Sequence, residues 1–247
     1  MKELYYIISM KFKNPFARKT LSVKSPHLQN RMLNLQQIGF EPKCVIDAGA
    51  HKGNWTKLMN EFFPEAHFTL FEPNPMVNQF VEENLRHIPD NYVLEKKAVG
   101  ASKGSMQLNV WENNDKNLSG SSLLDHVRGE GTKQVDCEII DLDGYCKEKG
   151  LNPDLIKLDL QGYEVEALKG CKELLGKVEL FIIEFGCLDA YVGRSGIDDL
   201  IAVMYQHDYK LYDIIDLHYR PYDQALTGGD FFFVHKSSSL LAYKGYE

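Results

Sequence analysis

The sequence predicts an α/β protein in which a mainly parallel, seven-stranded sheet is covered by helices on both faces. Three observations predict this fold class. Short apolar runs alternate with amphipathic stretches of helical period, no repeat or linker divides the 247 residues, and several apolar runs end in an acidic residue. Since parallel strands end at one edge of their sheet, we expect Asp47, Glu72, Ala98, Asp159 and Glu184 to lie along one ligand-binding rim.

The composition is that of a soluble globular protein, with 44% hydrophobic and 26% charged residues. A formal net charge of −7 disfavours a broad nucleic-acid-binding face, so we expect no nucleic-acid partner. Five cysteines without a CxxC pair fit a reducing compartment better than a disulfide framework or a zinc site. A cytoplasmic location is therefore expected.

Residues 1–40 are predicted to be a helical extension, and residues 41–247 the α/β domain. The apolar run near the start is too short to span a bilayer, and no small-residue cleavage site follows it. The main interpretation is an arm that packs on the domain. The alternative is a weak anchor on anionic lipid through four basic residues. These residues are Lys11, Lys13, Arg18 and Lys19.

The first half of the predicted sheet has three strands, at 44–49, 67–72 and 92–99, with helices at 54–63 and 75–88 between them. The second helix has four apolar residues on one face, which is typical of a helix that packs on a sheet. They are Met76, Phe80, Val81 and Leu85.

The second half continues the alternation, with strands at 155–160 and 179–185 around a helix at 164–175. A last helix is predicted over 195–209. Its apolar face has four residues, and its start has the spacing of a capping box, Ser195 to Asp198. The apolar residues are Ile197, Leu200, Ile201 and Met204.

Two more strands, at 210–217 and 230–236, are predicted to form a terminal hairpin with its turn at 227–229. The pattern differs between 106 and 140, where two short strands are predicted to form an antiparallel pair. They flank a polar loop at 112–134, and loops of about twenty residues inside compact domains are often functional.

The stretch VIDAGAHKG at residues 45–53 places Asp47, Gly49 and Gly53 after the first strand. A dinucleotide-binding turn would instead have the spacing G-x-G-x-x-G, with its first glycine directly after the strand. A carboxylate at the strand end suits a ligand with positive charge near the turn, such as the amino group and sulfonium of S-adenosylmethionine.

Glu72 ends the second strand and is followed by Pro73, Asn74 and a second proline. A carboxylate in this position can accept hydrogen bonds from both hydroxyls of a ribose. Leaving those hydroxyls unpaired in a buried site costs roughly 1–3 kcal/mol each. The other interpretation of Glu72 is a surface carboxylate at a strand end.

Five segments together resemble the FkbM-type methyltransferases: VIDAGAHKGNWT, LFEPNP with Asn84 downstream, KKAVG, LIKLDLQGYEVEALKG and the IIE strand. The resemblance covers about residues 43–185, and DFFFVHK is similar to the last strand of the family. It implies that residues 41–247 are a methyltransferase domain with the Rossmann-like class I fold, and that S-adenosylmethionine is the cofactor. It also implies O-methylation, often of a sugar hydroxyl on a glycan or of a secondary metabolite.

The resemblance implies a cofactor site on the matched motifs, with Ala98 and Val99 against the adenine and Glu72 on the ribose. His51 stands where the family often has Asn. The first forty residues and the 112–134 loop match no motif and are expected to choose the acceptor. The implied cofactor-binding residues are Asp47, Gly49, Ala50, His51, Gly53, Trp55, Glu72, Pro73, Asn74, Ala98, Val99, Asp159, Leu160 and Gln161.

Asp159 is the first candidate for the base that takes the acceptor proton, and its alternative role is hydrogen bonding to the cofactor or backbone. Glu184 could share this work. The two carboxylates could also hold a divalent cation, but a structural or substrate-binding Glu184 is simpler and no metal is predicted. His126, in the polar loop, is a third candidate base. Asp230 could bind acceptor hydroxyls or cap a turn.

Two rival functions use the same fold. A nicotinamide-dependent oxidoreductase shares the logic of Glu72, but the spacing of the first glycines argues against it. A catalytically silent module would bind only a partner or lipid, and it has no need to keep the cofactor motifs. The fourth-strand motif DLQG gives no support to methylation of nucleic-acid bases. The acceptor and the oligomeric state are left open.

Overall fold

A computed structural model describes residues 26–88, 91–111, 120–127, 132–188 and 190–245 of the chain. These residues form ten strands, six α-helices and a short 3₁₀ helix. In chain order they are α1 (Pro26–Gln37), β1 (Cys44–Ala48), α2 (Asn54–Phe62), β2 (His67–Phe71), α3 (Asn78–Leu85), β3 (Tyr92–Glu95), β4 (Ala98–Val99), β5 (Gly104–Trp111), β6 (Thr132–Ile140), α4 (Leu142–Lys149), β7 (Leu155–Leu158), α5 (Glu164–Lys169), β8 (Leu180–Gly186), α6 (Ile197–Gln206), β9 (Tyr209–Tyr219), β10 (Leu226–His235) and η1 (Ser239–Leu241).

The main sheet has seven strands in the order β3-β2-β1-β7-β8-β10-β9. The first five run parallel, and β10 is antiparallel to both of its neighbours. This arrangement confirms the predicted fold class. The order of the strands reverses between β1 and β7, and in open parallel sheets ligands bind beyond the strand ends at such a reversal.

The central strands are apolar on both faces because helices cover both sides of the sheet. Val45 and Ile182 pack in one core cluster, and their chain neighbours Ile46 and Ile183 pack in the cluster on the opposite face. The alternation follows from the two-residue period of a strand. Two apolar cores therefore stabilise the sheet from both faces, and the polar side chains lie at the carboxyl ends of its strands.

Helix α1 contributes Leu28, Met32 and Leu35 to the same core cluster as Val45. Arg31, on another side of this helix, forms an ion pair with Asp213 of β9. The described part of the predicted extension thus packs on the domain, while the boundary at residue 40 stays a prediction. The basic residues of the proposed lipid-binding arm lie outside the described residues. None of the described helices is long and apolar enough to cross a membrane.

A second, three-stranded sheet has the order β4-β6-β5. The prediction of one strand over 92–99 was wrong, because β3 ends at Glu95 in the main sheet and β4 pairs with β6. Two consecutive lysines between them mark the break. The antiparallel pair around the polar loop is confirmed as β5 and β6. Of the predicted loop, residues 112–119 and 128–131 lie outside the described residues.

Several predicted boundaries were wrong. Helix α3 begins only at Asn78, so Met76 lies before it and is 45% exposed. Helix α5 ends at Lys169, because Gly170 and a series of turns follow. At the start of α6 the Gly196 amide donates to the Asp199 carboxylate at 3.1 Å, which replaces the predicted Ser195–Asp198 pair.

The terminal hairpin is confirmed, but its turn lies at residues 220–225. Residues 227–229 were predicted as this turn and are instead part of β10. The two glycines there fit between strands: a Cβ on Gly228 would overlap the carbonyl oxygen of Phe185. Gly-rich sequence in a strand interior often marks such a close approach or a bulge.

Candidate active site

A cavity opens at the carboxyl ends of β1, β2 and β7, the place where the strand order reverses. It is bounded on one side by the small sheet and on another by the segment that follows the undescribed residues 112–119. Its lining residues are Gly49, His51, Phe71, Glu72, Pro73, Asn74, Lys97, Ala98, Val99, Leu108, Gly120, Ser121, Ser122, Leu123, Asp159, Leu160, Gln161 and Tyr163.

Glu72 is buried at the wall of this cavity, and each of its carboxylate oxygens accepts one backbone hydrogen bond. The Asn74 amide donates at 2.8 Å and the His51 amide at 2.7 Å. Burial raises the pKa of Glu72 to about 7, against the lowering effect of these two hydrogen bonds. Each oxygen keeps a further lone pair, so the fixed carboxylate can accept from two vicinal hydroxyls.

The turn after β1 is tied to the end of β2, because the Phe71 carbonyl accepts from the amides of Gly49 and Ala50. Gly49 has a φ of +82°, and a Cβ there would overlap the carbonyl oxygen of Asp159. The glycine is therefore required by the neighbouring strand end as well as by its own conformation. Asn84 supports the same turn by donating to the Lys52 carbonyl at 2.8 Å.

The apolar side of the cavity is formed by the small sheet and by the residues between β7 and α5. Ala98 and Val99 are buried in β4, and Leu108 of β5 lies beside them. Leu160 and Tyr163 line the cavity from the other side. Such a slot between apolar side chains suits a planar, weakly polar ring, with Glu72 at its polar end.

Asp159 and Asp47 share one buried cation. The Lys157 ammonium lies 2.9 Å from Oδ2 of Asp159 and 3.7 Å from Oδ1 of Asp47. Although burial opposes it, Lys157 holds the pKa of Asp159 below its ordinary value. Asp47 has no exposed surface and also accepts from the Thr56 hydroxyl at 2.7 Å. The positive charge that faces Asp47 is thus supplied by the protein itself.

Gln161 connects the carboxylates. Its Nε2 donates to Asp159 at 3.0 Å and to Glu184 at 3.1 Å, while its Oε1 accepts from the Tyr191 hydroxyl at 2.9 Å. Its φ of +54° is uncommon for a residue other than glycine and is held by the Ser122 hydroxyl, which donates to the Gln161 carbonyl. The side chain is fixed from both ends.

Residues 120–123 cross over the cavity and are attached to it on two sides. Ser121 accepts from the Asn74 side chain at 3.0 Å, and Ser122 bonds to Gln161 as described. The Gly120 carbonyl accepts from the Trp111 ring nitrogen at 3.2 Å. This part of the polar loop therefore contacts the turn that follows Glu72. It also contacts Gln161, which bonds to Asp159 and Glu184.

Ten of the fourteen predicted cofactor-binding residues line the cavity. The exceptions are Asp47, Ala50, Gly53 and Trp55, which lie behind it: Gly53 precedes α2 with a φ of +74°, and the Lys157 ammonium lies over the Trp55 ring. They shape the turn and the charge pair that hold the lining residues. A direct role of each in binding stays a prediction.

Of the three predicted catalytic residues, Asp159 lines the cavity and Glu184 lies next to it through Gln161. His126 does not line the cavity. Its ring packs between Trp111 and Tyr191, with ring centres 5.1 and 5.5 Å away. Within the described ranges no group of three or more His, Cys, Asp or Glu side chains is arranged to hold a metal ion.

Two residues of the site were missed in the sequence. Lys157 stands in the otherwise apolar run LIKL, and a charged residue in a buried strand is itself a signal of a buried ion pair. Tyr191 lies in a segment without recognisable pattern. Its contact with Gln161 spans thirty residues of chain and could be seen only in the folded structure.

Comparison with known proteins finds the same family that the sequence motifs resemble. The model of the methyltransferase FkbM domain matches residues 47–211, about two thirds of the chain. The 2-O-methyltransferase NoeI of Sinorhizobium fredii (strain NBRC 101917 / NGR234) is 29% identical over 164 residues, which cover 61% of this chain and 66% of NoeI. The methyltransferase sdnD of Sordaria araneosa is 27% identical over 160 residues, which cover 52% of this chain and 60% of sdnD.

The chain thus spans slightly less than two thirds of the length of these two relatives. Among solved structures, magnesium protoporphyrin IX methyltransferase (ChlM) from Synechocystis PCC 6803, determined with bound S-adenosylmethionine, superposes with a TM-score of 0.50. The superposition covers 84% of this chain and 76% of that one at 10% sequence identity, which shows a shared fold.

Proposed function

The chain belongs to the FkbM methyltransferase family, and from this premise we propose that it is an S-adenosylmethionine-dependent O-methyltransferase. The proposed acceptor is a hydroxyl of a sugar, a glycan or a secondary metabolite. The observation that carries the proposal is the Glu72 carboxylate, held by the His51 and Asn74 amides at the edge of an apolar slot.

The residues of the cavity fit S-adenosylmethionine, the cofactor of this family. Glu72 would accept from the two ribose hydroxyls, and Ala98, Val99 and Leu160 would enclose the adenine. The methionine end would lie toward Gly49 and Asp159, which also line the cavity. When bound, the cofactor supplies a methyl group on a positively charged sulfur, and anionic side chains near this charge favour binding.

Methyl transfer to a hydroxyl requires alignment of the acceptor and removal of its proton. Alignment can supply about 7–11 kcal/mol in the most favourable cases. The carboxylate cluster beside the cavity, Asp159 and Glu184 with Gln161 between them, is suited to accept hydrogen bonds from acceptor hydroxyls. An oxygen acceptor is also supported by the name of the relative NoeI, a 2-O-methyltransferase.

Calorimetric titration of the purified chain with S-adenosylmethionine and, separately, with NADH tests the cofactor. We expect micromolar binding of S-adenosylmethionine and none of NADH, and a 10- to 100-fold loss of affinity in Glu72→Gln, since a hydrogen bond to a charged group contributes about 1.5–3 kcal/mol. Glu83→Gln, an exposed site on α3, is the matched control and should bind normally. Binding of NADH in place of S-adenosylmethionine would favour the oxidoreductase.

The acceptor is tested with S-adenosylmethionine carrying a tritiated methyl group and a panel of methyl glycosides, free sugars and small phenols. Methyl ether formed on a sugar hydroxyl supports the proposal. Labelled N-methyl or S-methyl products, formed with amine or thiol probes in the same panel, would contradict it. A chain that binds the cofactor and transfers its methyl group to none of the probes would support the catalytically silent module.

A further inference from the structure

Three carboxylates lie side by side at the carboxyl edge of the sheet. Asp230 of β10 pairs in register with Glu184 of β8. Leu158 of β7 pairs with Ile183, so Asp159 follows directly beside Glu184. Residues that pair across strands point to the same face, and strands are spaced by about 4.8 Å. Asp159, Glu184 and Asp230 therefore form a row that leads from the cavity across β8 to β10.

The first two members of this row are occupied by other groups. Asp159 accepts from the Lys157 ammonium at 2.9 Å and from Gln161 at 3.0 Å, and its lowered pKa makes it a weak base. Glu184 has the opposite character, since burial and the neighbouring Asp159 charge raise its pKa well above the ordinary value. The ionised form of Glu184, which a base requires, is therefore disfavoured.

Asp230 differs from both. Among the described residues, none donates a hydrogen bond to its carboxylate, although the residue is partly buried. The pairing of β10 with β9 shifts register on the glycine side of Asp230, between Gly228 and Asp230. Bulges of this kind bend a strand and redirect a side chain, and they are frequent next to active sites.

The charges around Asp230 come from four elements. Lys157 on β7 is the cation, and Asp159 after β7, Asp216 on β9 and Glu164 on α5 are the anions, with Glu184 paired beside it on β8. Burial raises the pKa of Asp230 to about 7, Lys157 lowers it, and the anions raise it. A general base is most effective when its pKa lies near the working pH.

We propose that Asp230 is the catalytic residue that removes the proton from the acceptor hydroxyl, while Asp159 and Glu184 position the acceptor between the cavity and β10. This inference rests on the proposed O-methyl transfer. The Asp230 carboxylate takes the hydroxyl proton as the acceptor oxygen bonds to the methyl carbon. The carbon–sulfur bond breaks with its electron pair left on sulfur, and Asp230 later returns the proton to water.

The ionisation of Asp230 can be measured without an acceptor. Carbon-13 NMR of the full chain with labelled aspartate side chains, assigned with Asp230→Asn, should show Asp230 titrating near pH 7. Asp223, an exposed residue paired with Arg220, is the reference and should titrate far lower. Titration of Asp230 near pH 4 would overturn the proposal.

The kinetic test uses a methyl glycoside on which the wild-type chain is active. Asp230→Asn should lower kcat about 10²- to 10⁴-fold, with unchanged affinity for S-adenosylmethionine. The rise of kcat with pH through about 7 should disappear in this variant and should be kept in the remote control Asp223→Asn. Asp230→Glu should restore part of the rate, which a purely structural role would not predict.

The two proposals fail in different ways. If the wild-type chain binds S-adenosylmethionine but methylates no hydroxyl probe, the proposed function is contradicted. If it methylates a hydroxyl and Asp230→Asn does so at the full rate with the same pH profile, the proposed function stands and the assignment of the base to Asp230 is overturned.

Discussion

At Glu72, burial and hydrogen bonding act in opposite directions on one carboxyl group. Two backbone amides stabilise the ionised form, while removal from water favours the protonated form and has the larger effect, so that the pKa is about 7. The two hydrogen bonds thus fix the position of the Glu72 side chain, while its charge changes with pH near 7. This has a direct consequence for the binding of a ribose.

Binding of S-adenosylmethionine should depend on pH through Glu72. Only the carboxylate can accept from both hydroxyls, so affinity should rise with pH up to about 7 and be constant above it. The decrease below pH 7 should approach tenfold per unit. Calorimetry between pH 5.5 and 8.5 measures this, and the affinity of Glu72→Gln should not change over the range. A pH-independent affinity in the wild type would contradict the assigned pKa.

Lys157 is the second residue at which a local change should have a large effect. It is the cation between Asp47 and Asp159, and its side chain is 7% exposed. Lys157→Met leaves two carboxylates close together without compensation. Because removal of one partner from a buried ion pair typically costs about 3–5 kcal/mol, we expect a loss of this size in the free energy of unfolding.

Urea unfolding measures this loss, and Lys236→Met is the matched control. Lys236 pairs with Asp208 at the surface, where an ion pair contributes little. Combining Lys157→Met with Asp47→Asn should recover part of the stability, since one of the uncompensated charges is then removed. Equal and small losses for both lysines would show that Asp47 and Asp159 do not depend on Lys157.

At the scale of elements, the site depends on how closely the ends of β1 and β7 approach each other. The Asp159 amide donates to the Ala48 carbonyl at 3.0 Å, and Gly49 then passes directly under the Asp159 carbonyl. Gly49, the first glycine of the VIDAGAHKG stretch, therefore has a packing role between β1 and β7. It places the Glu72 turn and Asp159 on opposite sides of the same cavity.

Gly49→Ala should both destabilise the chain and weaken cofactor binding. Gly150→Ala is the matched control, because Gly150 also has a positive φ, +67°, but no atom lies within 4 Å of the added methyl group. The control should lose only the cost of the left-handed conformation, about 1–2 kcal/mol, and bind normally. Gly49→Ala should lose more. If urea unfolding shows the same loss of unfolding free energy for both variants, the close approach of Gly49 to Asp159 does not contribute to stability.

At the scale of the whole molecule, the raised pKa values of Glu72 and Asp230 link stability to pH. Both groups have a folded-state pKa of about 7 and a lower one in the unfolded chain, so the folded state binds more protons between these values. Stability should therefore fall as the pH rises from about 4 to 7 and then level. Ionisation of the proposed base and of the proposed ribose-binding group therefore lowers the stability of the folded state.

Asp230→Asn should remove part of this dependence. The variant should be more stable than the wild type at pH 8, by about 1–3 kcal/mol, because the fold no longer holds that charge. The difference should be small near pH 4, where Asp230 is protonated in the folded state and about half protonated in the unfolded chain. Urea unfolding at the two pH values measures it. A destabilised variant at pH 8 would indicate that the Asp230 carboxylate is paired in the fold.

Much of the architecture could be predicted from the chain. Strands such as β7 and β8 are short apolar runs with helical stretches between them, so their type and parallel direction follow from local pattern. The boundaries of α3 and α5 could not, because helix ends depend on tertiary contacts as much as on periodicity. The split between β3 and β4 also depends on which partner each strand finds, and no local pattern contains that information.

The class of sheet, the family and the position of Glu72, Gly49 and Asp159 at one edge could be predicted from the chain, because strand ends and turns depend on adjacent residues. Three features are visible only in the folded chain: the carboxylates that share Lys157, the contact of Tyr191 with Gln161, and the register of Asp230 with Glu184. These contacts join residues far apart in the chain. Charge and pKa depend on such neighbours and on burial, so the roles of the carboxylates follow from the fold.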